Sequence, residues 1–124
     1  MIYLASPYTH SDRAIKLKRV AQTEEALASF HAQNIVVYSP IVHWHYVAER
    51  LGLATDHVPW LVQNEGVMNA ASIVGLLRID GWRESRGMKH EWQYAIKHNI
   101  TLIAYDLIGG NVVNQGLVDV SELP

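Results

Sequence analysis

Apolar residues fall into four short continuous blocks: Ile2-Tyr3-Leu4-Ala5, Ile35-Val36-Val37-Tyr38, Ile73-Val74-Gly75-Leu76-Leu77 and Thr101-Leu102-Ile103-Ala104-Tyr105. Each has strand length, and apolar residues without alternation suit a strand buried on both faces. Ser-Pro pairs at 6–7 and 39–40 end the first two. The intervening segments read as helices. One is predicted from about Asp12 to Gln33, capped by Ser11 or Asp12, with Ala14, Leu17, Val20, Ala21, Leu27 and Ala28 as its apolar stripe. Val42 to Leu53 reads as part helix and part loop. A further helix opens near His57, where Pro59 suits a first turn, and runs to about Ala71. The polar loop Asp80–Arg86 leads into a helix from Gly87 to His98. Beyond Asp106 the pattern predicts a turn at Gly109-Gly110-Asn111 and an apolar-polar tail. Strands alternating with helices predict a small doubly wound, flavodoxin- or Rossmann-like α/β domain over residues 1–124. Its parallel sheet would have four to five strands flanked by helices. In such sheets ligands bind beyond the carboxyl ends of the strands, which directs attention to the loops after Ala5, Tyr38 and Ile79.

Composition narrows the field. The chain has 124 residues, 49% hydrophobic and 18% charged, as expected of one folded domain. Lys+Arg is 10 and Asp+Glu is 12, a formal charge of -2. That argues against a module that binds nucleic-acid polymers by neutralising phosphates. With no cysteine, a thiolate metal site and a cysteine nucleophile are excluded. No apolar run approaches the roughly 18 residues of a membrane span, and the opening segment lacks the form of a secretory signal. The expectation is a cytoplasmic protein acting on a small molecule.

The segment from Asp80 to Ala95 carries the most chemistry. Ser85 and Gly87 stand where a helix begins, and free backbone N–H groups there favour an anion. Gly87 allows close approach of a ligand, although Ser85 is equally suited to simple capping. Arg83 and Arg86 could pair a phosphate or remain solvated, and Asp80 is a further polar loop residue. Glu91 shares a helical face with Met88 and Ala95, which should face the sheet. A carboxylate on an apolar stripe is costly unless paired or functional, the alternative being an N-terminal Glu that favours the helix dipole. Tyr3 either fills core or reaches Glu91 across the strand ends. His43, Trp44, His45 and His57 cluster after the second strand. A zinc site needs three or four supported ligands, and the nearest carboxylates are Glu49 and Asp56, so a pocket for a flat base is favoured over a metal. His43 or Trp44 would stack on that base or hydrogen-bond it. Asn64 and Glu65 fall mid-helix, where partial burial is expected.

These residues resemble a family. Ile2-Tyr3-Leu4-Ala5-Ser6-Pro7-Tyr8 looks like the opening of the nucleoside 2-deoxyribosyltransferase-like superfamily, and Gly87-x-x-x-Glu91-x-x-x-Ala95 resembles its nucleophile helix. Ser85-x-Gly87-x-x-x-Glu91 is similar to the branch of 2'-deoxynucleoside 5'-monophosphate N-glycosidases. Gly81-Trp82-x-x-Ser85-x-Gly87 looks closest to the proteins grouped as DUF1937 and DUF4406. The resemblance spans Met1 to about Tyr105. It implies that Glu91 attacks C1' of the deoxyribose, that Tyr3 orients its carboxylate, and that Ser85 and Gly87 bind the 5'-phosphate. It implies that His43 lies in the base-contacting loop and that no cofactor is used. A neighbouring subunit is also implied, for which the apolar tail from Leu107 to Val120 and the exposed-looking tryptophans would suit an interface. One position departs from the family. Where an Asp acts as general acid or orients the base, this chain has Asn64, which cannot deliver a proton. Glu65, Asp80 or the base's own protonation would replace it, or the protein binds a nucleotide and cleaves it poorly; the alternative to an enzyme is a non-catalytic protein that binds a nucleotide or nucleotide derivative. Ser85 in place of an acidic residue favours a 5'-monophosphate over a free nucleoside.

Overall fold

The computed structural model describes residues 1–53 and 57–124, with the backbone alone for 57–59. The elements in chain order are β1 (Ile2–Ala5), α1 (Arg13–Ala32), β2 (Val37–Tyr38), α2 (Pro40–Leu51), α3 (His57–Met68), β3 (Ile73–Leu77), α4 (Arg86–Lys97), β4 (Thr101–Ile108) and β5 (Asn111–Leu117). Single 3-10 turns occupy Trp82–Glu84 and Val120–Glu122. The strands form one five-stranded, mostly parallel sheet in the order β2-β1-β3-β4-β5, with β5 antiparallel to β4. The chain is therefore an α/β protein whose sheet is flanked by four helices.

Side-chain alternation divides the core into two layers. Tyr3 and Ala5 of β1 pack with Val74, Leu76, Met68, Met88, Trp92 and Ala95, the layer under α3 and α4. Ile2 and Leu4 pack with Leu77, Tyr105, Ala26 and Phe30, the layer under α1. Strand β1 lies between β2 and β3, with Tyr3 opposite both Tyr38 and Val74, and all four of its residues are buried.

Local chemistry sets the element ends, and in places it differs from the pattern along the chain. Asp12 caps α1 by accepting from the Ala14 amide at 2.9 Å. The face that α1 buries carries Val20, Thr23, Ala26, Ser29 and Phe30. Ala14, Leu17, Ala21 and Ala28 are exposed. Only Val20 and Leu27 of the expected stripe pack inward, because Thr23 and Ser29 are tied by hydrogen bonds and can be buried, which a count of apolar residues overlooks. Strand β2 is shorter than the run Ile35–Tyr38. Asn34 takes a left-handed φ of 59° as the chain leaves α1, and Ile35 and Val36 are exposed. The segment Val42–Leu53, expected to be part helix and part loop, is helical as far as Leu51 in α2. Ser39 caps it, accepting from the Val42 amide at 3.1 Å, Pro40 is at its start, and left-handed Gly52 ends it. Helix α3 stops at Met68 rather than Ala71. The apolar-polar tail forms the second strand of a hairpin, β5, against β4. Gly109 and Gly110 both have positive φ, 58° and 79°, the requirement of a tight two-residue turn, and Ile108 pairs with Asn111 across it. Trp92 is buried and Trp44, Trp60 and Trp82 are partly buried, so the tryptophans are not the exposed surface they resemble in the sequence. Among the described residues no helix is long and apolar enough to cross a membrane.

Candidate functional site

The loops and helix ends following β1, β2 and β3 enclose a cavity of about 510 Å³, within the usual range for a small-molecule site. Ser6, Tyr8 and Thr9 line it from the first, Pro40, Trp44 and His45 from the second, and Glu84, Ser85, Arg86 and Gly87 from the third. Helix α3 supplies Trp60, Leu61 and Asn64. His90 and Glu91 of α4 complete the wall.

Glu91 is held by the helix that Ser85 begins. Met88 and Ala95, one turn before and after it, are fully buried against the sheet. That packing fixes the intervening carboxylate at the cavity with only 6% of its surface exposed. The Tyr3 hydroxyl donates a hydrogen bond to Glu91 Oε2, joining the first strand to the fourth helix across 88 residues of sequence. Two effects act on the carboxyl. Burial penalises the charged form and the Tyr3 hydrogen bond favours it; burial dominates, and the Glu91 pKa is pushed up to about 8. Tyr3 is itself pushed far above the ordinary phenol range, first by burial and then by the Glu91 charge. Its proton therefore stays on the phenol, which acts as a fixed donor.

The start of α4 has the features of an anion site. Ser85 caps the helix, its Oγ accepting from the Met88 amide at 3.2 Å, and its hydroxyl proton remains available to a ligand. A Cβ on Gly87 would meet nothing nearer than Ser85 Oγ at 4.0 Å, so the protein's own packing does not demand glycine there. The space it leaves opens on the cavity. Arg86, exposed between them, adds a positive charge.

Aromatic groups form the opposite wall. Trp44 meets Trp60 edge to face with ring centroids 5.1 Å apart. The Tyr8 hydroxyl lies 2.6 Å from His45 Nδ1. Burial pushes the His45 pKa down, which favours the neutral ring in this contact. Neither this pair nor Trp60 follows from the sequence, since Tyr8 and His45 meet only when α2 folds back beside β1.

Glu91, Tyr3, Ser85, Gly87, Arg86 and Asn64 are thus brought together, and Asn64 and Glu65 are partly buried as expected. Asn64 Oδ1 is buried at the cavity without a hydrogen-bond partner. His43 is not at the cavity. It lies exposed on α2, its ring against Tyr38 and Trp44 at centroid distances of 5.4 and 5.0 Å, because successive helical residues point about 100° apart and His45 takes the inward direction. Asp80 is exposed in the loop after β3 and does not line the cavity. Arg83 lies over the Trp82 ring. The side chain of His57, like Asp56, lies outside the described residues, among which no cluster of three His, Asp or Glu could hold a metal.

A search of curated proteins finds no match to the chain. A family model described as a domain of unknown function, DUF1937, matches residues 1–107, a span that includes every cavity residue named above, and the chain belongs to that family.

Proposed function

We propose that the protein cleaves or exchanges the N-glycosidic bond of a 2'-deoxynucleoside 5'-monophosphate, with Glu91 as nucleophile. The observation that carries this reading is the buried Glu91 carboxyl, bonded by Tyr3 at the wall of a nucleotide-sized cavity. Breaking the bond builds positive charge at C1' of the sugar. A carboxylate beside that carbon stabilises the charge and captures the carbon covalently. Desolvation disfavours the Glu91 anion in the empty cavity. That penalty falls as the sugar becomes cationic, so Glu91 interacts more strongly with the transition state than with the substrate, which is the condition for catalysis. The Tyr3 hydroxyl holds the attacking oxygen in place. Ser85, Gly87 and Arg86 would receive the phosphate, and Trp44 and Trp60 offer ring surfaces to a base. The covalent sugar then passes to water or to a second base.

The strand order, reversing between β1 and β3, suits a doubly wound sheet with its ligand at that crevice. It also fits membership of the nucleoside 2-deoxyribosyltransferase-like superfamily. The same reading includes a homo-oligomer, to which exposed Leu117 and Val120 at the far end of the chain would contribute; light scattering that finds only monomer overturns that part.

The test is chromatographic product analysis on a panel of deoxynucleoside and ribonucleoside monophosphates and free nucleosides. Release of free base by the parent protein and not by Glu91→Ala supports the reading. A second reading, nucleotide binding without cleavage, is favoured by Asn64, whose carbonyl oxygen can accept from a base but whose amide cannot protonate it. Binding of a monophosphate by calorimetry with no base release would select it.

A further inference from the structure

We propose that His90 is the proton donor to the departing nucleobase, with Glu65 as its positioning residue; the inference rests on the glycosidic-bond reading above. A base leaving as an anion needs a proton, and Asn64 cannot supply one. Among the cavity-lining groups, His45 is committed to Tyr8 through Nδ1 and held neutral by burial. Glu84 is exposed, and Glu91 is required as nucleophile. His90 lines the same cavity. Its Nε2 lies 3.1 Å from Glu65 Oε1, a contact that bridges α3 and α4. Both side chains are about a third exposed, 33% for His90 and 37% for Glu65, so protons exchange with solvent while the ring stays anchored. A carboxylate on one imidazole nitrogen fixes the ring, leaving the other nitrogen to act on a ligand. Here the free nitrogen is Nδ1. His90 and Asn64 line the same cavity, so the proton source shares the site with the residue that lacks one.

The C1'–N bond breaks and its electron pair goes to the base, which takes the proton from His90 Nδ1. A lone pair of Glu91 forms the C1'–O bond. Water then attacks C1', the bond to Glu91 breaks with its pair returning to the carboxylate, and the water proton goes to His90. The products are the base and deoxyribose 5-phosphate.

Leaving-group dependence separates proton donation from a structural role. The probes are the deoxynucleoside monophosphate that the parent cleaves fastest and 4-nitrophenyl 2-deoxyriboside 5-phosphate, whose nitrophenolate departs without a proton. His90→Asn is expected to lower kcat on the nucleotide by about 10²–10⁴-fold and to leave the nitrophenyl substrate within a few-fold. Glu65→Gln should show the same contrast, more weakly. Equal loss on both substrates in a variant with parental circular dichroism overturns the proposal, as does no loss on the nucleotide. If His90→Asn does not fold, Glu65→Gln decides by the same contrast. A parent that releases no base from any nucleotide overturns the glycosidic reading and this proposal with it. A parent that cleaves while His90→Asn is unaffected overturns the proposal alone.

Discussion

The two faces of the sheet bury polar groups in different ways. Under α1 these are Thr23 and Ser29, neutral and tied by ordinary hydrogen bonds. Thr23 Oγ1 donates to the Arg19 carbonyl at 2.8 Å, and Ser29 Oγ accepts from the Val112 amide at 2.9 Å. Each bonds a backbone group, Thr23 within α1 itself and Ser29 across to β5. Under α4 the buried polar group is the Glu91 carboxyl. It caps nothing and joins no backbone, and its bond to Tyr3 does not offset its desolvation, as its raised pKa records. Burial of a satisfied neutral group is a way of building a fold. Burial of an ionisable group at a cavity wall, with its pKa displaced toward neutrality, is a way of poising one for reaction. On the proposed function, α1 serves stability and α4 serves chemistry, and substitutions on the two helices should separate accordingly.

The largest effect is expected at Glu91. Glu91→Gln keeps the shape and the hydrogen bond from Tyr3 but removes the carboxylate proposed as nucleophile. Turnover of the nucleotide should fall by about 10³-fold or more, measured by single-turnover base release. Stability should change in the opposite sense at high pH. The folded carboxyl titrates at about 8 against an ordinary 4.5, so between those values the folded state holds a proton that the unfolded state has released. Stability then falls as pH rises from 4.5 to 8 and levels off above. Glu91→Gln should remove this slope, so that denaturant midpoints of parent and variant diverge most above pH 8. A parental slope retained in the variant would mean that Glu91 is not the group responsible.

Tyr3→Phe comes next. The ring still fills the core, so the fold is kept, but the donor to Glu91 is lost. A hydrogen bond to a charged group is worth about 1.5–3 kcal/mol, which corresponds to a loss of about 10- to 100-fold in kcat/KM. That bond lowers the Glu91 pKa, so the rise of activity with pH should move to higher pH in the variant. Gly87→Ala is smaller and of a different kind. It places one methyl in open space at the end of the cavity proposed to receive the phosphate. KM for a monophosphate should rise by about tenfold while thermal stability is unchanged or slightly improved. A free nucleoside, lacking the phosphate, should be affected less.

The sequence made some of this architecture legible and concealed the rest for physical reasons. The buried strands β1, β3 and β4 are continuous apolar runs, although a fourth such run, Ile35–Tyr38, yields only the two-residue strand β2. Glu91 was visible as a charge on an apolar stripe, and Ser85-x-Gly87 as a helix start. The inward face of α1 was hidden because Thr23 and Ser29 bury their hydroxyls only when Arg19 and Val112 are in place. The β5 strand was hidden because Gly109-Gly110 reads as a turn whichever way the chain continues, and most of β5 is exposed. Contacts between distant segments were least accessible. Nothing local to His90 announces Glu65, 25 residues earlier, and His43 is distinguished from His45 only by the rotation of a helix whose packing had first to be known.

Ser29 gives the smallest effect and the sharpest control. It is 9% exposed, and its Oγ is the partner of a buried amide in an edge strand. Ser29→Ala leaves the Val112 N–H unsatisfied, at a cost of about 1–3 kcal/mol, read as a lower denaturant midpoint. Because Ser29 lies on the α1 face, the loss should be independent of pH between 5 and 9 and should leave kcat and KM at 25 °C unchanged. If Ser29→Ala instead slowed base release as Tyr3→Phe does, the two faces would be coupled through β1, and the division of labour between α1 and α4 would fail.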